Sequence, residues 1–124
     1  MEMAPNETDL KKSLVLKVDQ IVVRKRCGER FDVTGTVTAV HHDATCRVVA
    51  ALAHSSYCKI DGATDGQVVW GPRDLTADSP MPFSITLGVS CQPSDDTYYT
   101  DLLVEAKDDD NCSDTDKVHL TIKC

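Results

Sequence analysis

The residue types suited to chemistry fall into two polar runs and a scattered set of cysteines. His41-His42-Asp43 ends one apolar stretch; Asp108-Asp109-Asp110-Asn111 ends another, with Asp114 and Asp116 close behind. Carboxylates at that density suit a hard cation such as calcium, which takes about 6–8 oxygen ligands. The candidate calcium ligands are Asp108, Asp109, Asp110, Asn111 and Asp114, and the candidate binding loop is His41, His42 and Asp43. Against a metal, the acidic run lacks the spacing and glycine of an EF-hand, Cys112 interrupts it, and imidazole is a poor calcium ligand. A solvated hairpin loop, its acids serving solubility and turn formation, accounts for the same residues. Zinc or nickel on His41-His42 is the weaker reading, because adjacent residues on a strand point apart.

Other arrangements have less to recommend them. His54, Ser55 and Ser56 can be drawn with an acid as a triad, but no nucleophile elbow surrounds either serine, so an ordinary loop is expected. Trp70, Tyr98 and Tyr99 would make a sugar-stacking platform, although a single Trp beside Gly-Pro more commonly packs in the core or at an edge. Glu105 has no evident partner carboxylate. No residue is nominated as catalytic, and no cofactor beyond calcium is suggested.

Composition bounds the class. A chain of 124 residues fits one domain with a modest core, and a net charge of −7 argues against a nucleic-acid partner. No apolar run approaches the ~20 residues of a membrane helix, so membrane insertion is not expected. Six cysteines, Cys27, Cys46, Cys58, Cys91, Cys112 and Cys124, are dispersed with no CxxC pair. That spacing disfavours a zinc ribbon and favours disulfides in an extracellular or cell-surface setting. Residues 1–12 are polar and lack the apolar core of a secretory signal, so the chain is expected to be a portion of a longer exported protein.

The elements that must position these residues are strands. Residues 1–12 read as a flexible leader and 13–124 as the domain. Ser13 to Arg24 changes apolar phase midway, which predicts a bulge or a switch between sheets. Residues 31–39 alternate, and residues 45–52 follow a polar turn, so the two are expected to be adjacent antiparallel strands. Gln67 to Trp70 reads as a short strand, Leu75 to Pro82 as a loop, and Phe83 to Val89 as the cleanest strand. Tyr98 to Ala106 and Lys117 to Lys123 complete about seven strands with no helical period, the pattern of an antiparallel β-sandwich.

The order of these features resembles the immunoglobulin-like modules repeated in bacterial and archaeal surface and secreted proteins, of the adhesion-related and alpha-galactosidase-associated kinds. The resemblance is carried by Gly28-Glu29-Arg30-Phe31 opening a Thr/Val strand, the loop from His41 to Ala44, Trp70 and Leu75 before a polar loop, and Phe83 to Val89. It implies a non-enzymatic spacer, adhesive or assembly unit and transfers no catalytic residue. The partners implied are other proteins, copies of the same chain, or carbohydrate. A filament built by donating the Leu14 to Val23 segment to a neighbour's sheet is the alternative, and a calcium- or carbohydrate-dependent binding module is another.

If successive strands of such a sandwich run antiparallel, the loops at His41 and Asp110 share one end. Cys46 and Cys112 would share it too, and are expected to be bonded. Cys27, Cys58, Cys91 and Cys124 would share the other end, either as Cys27 with Cys124 and Cys58 with Cys91, or with Cys27 bonded to Cys91.

Overall fold

Alternation of β-branched or aliphatic residues with polar ones makes this an all-β chain. The computed structural model describes residues 11–26, 28–54, 58–61, 66–89 and 97–123. Its strands are β1 (Ser13–Val18), β2 (Val22–Arg26), β3 (Arg30–Val40), β4 (Ala44–Leu52), β5 (Cys58–Ile60), β6 (Gln67–Leu75), β7 (Met81–Val89), β8 (Thr97–Asp108) and β9 (Ser113–Lys123). They form two sheets, of order β1-β3-β7-β5 and β2-β9-β8-β4-β6. No helix occurs among the described residues.

The phase change in the first apolar segment is a switch between sheets. Leu14 and Leu16 of β1 are buried in the first sheet, paired antiparallel with β3; after Asp19 and Gln20 the chain crosses, and Val23 is buried in the second. There β2 runs parallel to β9, so the fold is not purely antiparallel. This division, with the short β5, raises the expected seven strands to nine.

The expected pairing of β3 with β4 is overturned: β3 lies between β1 and β7, whereas β4 lies between β8 and β6. The linker of residues 41–43 carries the chain from one sheet to the other, turned by His41 in the left-handed region at φ 67°. Alternation predicts that each strand has a dry face, and it is silent on which strand supplies the hydrogen bonds. The two dry faces meet across the sandwich. Val33, Val37, Ile85 and Leu87 of the first sheet, with Val48, Leu102, Val104, Leu120 and Ile122 of the second, are buried.

The strand expected to end at Trp70 continues as β6 through Gly71-Pro72 to Leu75, which shortens the following loop to residues 76–80. β7 matches its reading, with Phe83, Ile85, Leu87 and Val89 buried. The expected leader, residues 1–12, falls outside the described residues up to position 10.

Candidate functional site

The loops at His41 and Asp110 do share one end of the sandwich, and a buried imidazole joins them. β3 buries its odd-numbered residues from Phe31 to Ala39, so continued alternation would turn His41 inward; the left-handed turn at His41 reverses the phase and buries His42 instead. His42 places Nδ1 2.9 Å from the Val40 carbonyl oxygen and Nε2 2.8 Å from Asp108 Oδ2. Both neighbours are acceptors, so the arrangement suits an imidazolium that donates from both ring nitrogens. The Val40 carbonyl and then the Asp108 carboxylate raise its pKa above the usual 6.5, against the opposing pull of burial.

Asp108 ends β8 with a side chain 0% exposed. Burial pushes its carboxyl upward, but the His42 bond and the Cys112 and Asp110 N–H groups outweigh it, and the net shift is below 3.8. Those two N–H groups donate to Oδ1 at 2.9 and 2.8 Å, drawing residues 109–112 into a tight turn in which Asn111 takes φ 64°. The carboxylate thus accepts three hydrogen bonds and carries a buried ion pair.

The remaining candidate ligands do not converge on one point. Asp109 pairs with Arg47 at 3.5 Å, and Asp110 lies 3.6 Å from His42. Asp114 Oδ2 accepts the Leu16 N–H at 2.8 Å, at the edge of β1. Asp43 Oδ1 accepts the Ala77 N–H at 2.8 Å, and the His41 N–H donates to Asp78 Oδ1 at 3.0 Å. A shallow cleft of about 460 Å³ on this end is lined by Asp43, Asp74, Asp109 and Asp110, of which Asp74 accepts the Thr45 hydroxyl.

His42, Asp108 and Cys112 do bring ligand-type atoms within 4.8 Å of one another, a donor set nearer to zinc than to calcium. With both ring nitrogens of His42 donating, a metal would have to displace the Nε2 proton and break the bond to Asp108. The Cys112 thiol is also held above its usual pKa, by burial and then by Asp108, which opposes thiolate formation. The arrangement works as a clasp between two loops. Sequence reasoning brought the loops together and missed the clasp, because the inward turn of His42 depends on the backbone at His41.

Cys46 and Cys112 share this end as expected, but they are free thiols, which corrects the expected bond. Cys46 faces the core, fully buried beneath the β4–β8 pairing, while Cys112 Sγ lies 3.5 Å from the Lys12 carbonyl at the other side of the turn. Burial and then the Asp108 charge push the Cys46 thiol up to about 11, leaving it unreactive at neutral pH. Cys27, Cys91 and Cys124 lie outside the described residues.

No known protein family and no curated protein matches this chain. The site is therefore read from its geometry. Ser55 and Ser56 lie outside the described residues, and His54 donates its N–H to the Thr100 hydroxyl. The aromatic trio is dispersed: Trp70 packs its ring 6.4 Å from Phe83, Tyr98 is half-buried, and Tyr99 is exposed. Glu105 has a basic partner, Lys107, at 3.5 Å.

Proposed function

We propose that this chain is a non-enzymatic, immunoglobulin-like structural or interaction module of an exported protein. The observation that carries the reading is the engagement of His42: its two ring nitrogens lie 2.9 Å from the Val40 carbonyl oxygen and 2.8 Å from Asp108 Oδ2, so the imidazole is taken up in joining two loops. The immunoglobulin-like assignment draws support from a first segment divided between the sheets, with β2 parallel to the last strand. The visit of β5 to the first sheet before β6 joins the second is this chain's own variation. Disulfides remain part of the proposal at the end opposite His42. Arg26 is opposite Lys123 and Cys58 is opposite Val89 in the strand registers, and these residues lead towards Cys27, Cys124 and Cys91 in the chain.

Light scattering across a concentration series, with and without calcium and reductant, tests the reading. A monomer indifferent to calcium is expected, and peptide mapping is expected to return Cys27–Cys124 and Cys58–Cys91. Growth of the particle with concentration would replace this reading with a filament subunit, and a calcium-dependent change would return the Asp108 loop as a metal site.

A further inference from the structure

The chain is acidic, yet two arginines that form no ion pair among the described residues lie side by side. Arg30 and Arg47 pair with Asp61 and Asp109, and Arg73 lies over the Trp70 ring at 5.4 Å. Arg24 and Arg26, the remaining two of five, form no ion pair among the described residues. Both point outward from β2. The register then builds a groove around them. Arg24, Thr121 and Tyr99 form one row across β2, β9 and β8, and Arg26, Lys123 and Thr97 form the next. Strands stand about 4.8 Å apart, so the short Thr121 is the floor between two long side chains roughly 10 Å apart. The resulting cleft holds about 550 Å³, and Glu29, the one carboxylate among its described lining residues, accepts the Arg26 backbone N–H at 2.7 Å. The row below is closed by the His119–Asp101 pair.

We propose that this cleft binds a short anionic glycan, a pyranose chain carrying sulfate or carboxylate groups. Tyr99, 68% exposed, offers an aromatic face to a sugar ring. Arg24, Arg26 and Lys123 meet the anionic substituents, the arginines in bidentate fashion, and Thr97 and Thr121 offer hydroxyls to the sugar's own. A long phosphodiester fits less well, since beyond the cleft it meets Asp101 and a protein of net charge −7. This assigns a ligand class to the proposed module and rests on reading it as a domain that binds.

The test is calorimetric titration of the full chain with a heparin-derived hexasaccharide, its desulfated form, maltohexaose and hexathymidylate. Saturable one-to-one binding of the heparin hexasaccharide is expected, with none for maltohexaose; the desulfated form tells whether sulfate or carboxylate supplies the anion. Tyr99→Ala and the double variant R24S/R26S are expected to weaken binding about tenfold or more, and the remote Lys107→Ser to leave it within about twofold. Absence of saturable binding at millimolar glycan overturns the site, as does equal affinity for hexathymidylate with no effect of Tyr99→Ala. Chromatography of the recovered glycan separates the two readings: a glycan bound and cleaved keeps the site and removes the non-enzymatic module, whereas an unbound one removes only the site.

Discussion

His42 and Asp108 join two loops through opposite protonation preferences, and this fixes a pH window. His42 has its pKa raised in the fold, so its contribution is complete below 6.5 and is lost as pH rises through the folded value. Asp108 has its pKa lowered, so its contribution is complete above 3.8 and is lost as pH falls through the folded value. The pair therefore stabilises fully between 3.8 and 6.5. Asp108→Asn keeps the shape and removes the charge, and is expected to cost about 2 kcal/mol at pH 6 as a buried donor loses its charged acceptor. Urea unfolding from pH 5 to 8 should show the native chain losing stability towards pH 8 and the variant following a flatter course. Parallel curves for the two would show that the ion pair is not what sets the slope.

At the scale of elements, the close approach of β1 to β3 depends on a residue without a side chain. A Cβ built at Gly35 would stand 2.2 Å from the Lys17 carbonyl oxygen and 2.7 Å from the Phe83 ring. Gly35→Ala must push β1 away or displace Phe83, at about 1–3 kcal/mol, the range for overpacked sites. A lower urea midpoint at unchanged slope is expected, and an unchanged midpoint would mean that β1 is loosely held. The strands themselves were legible, since Phe83 to Val89 and Val118 to Ile122 alternate cleanly and are buried as read. The sheet membership of β3 and β4 was not, because period-two burial looks the same whether a neighbour in sequence is paired beside a strand or packed across from it. The acidic end was half legible. Shared placement of the two loops followed from strand direction, but the side-chain bonds of Asp109 and Asp110 depend on turn geometry, and that of Asp114 on β9 lying against the edge of β1. The Arg24 cleft was not legible, since Lys123 and Tyr99 reach it only through the β2–β9–β8 register.

Across the whole molecule, the two sheets are fastened along one side by carboxylates from β9. The Leu16 N–H donates to Asp114 Oδ2 at 2.8 Å and the Val18 N–H to Asp116 Oδ2 at 3.4 Å. These are outward N–H groups of β1, the first strand of its sheet, whose other edge is taken by β3. An open edge of this kind invites strand addition by a second chain, and natural sheets block such edges with charge or coverage. Asp114 and Asp116 do both, occupying the donors and placing negative charge along the edge. Their alternate positions on β9 match the two-residue spacing of the donors on β1, as the paired bonds require. The double variant D114A/D116A leaves those donors to water and removes two charges, so it is expected to associate as concentration rises while the native chain stays monomeric. Sedimentation velocity at low and high protein concentration reads the difference. Adding Lys17→Asp, which restores charge on β1 without restoring the bonds, divides the effect into its parts. Recovery of the monomer would assign the protection to repulsion, and continued association would assign it to the occupied N–H groups. A variant that stays monomeric throughout would show that the β1 edge is protected by neither.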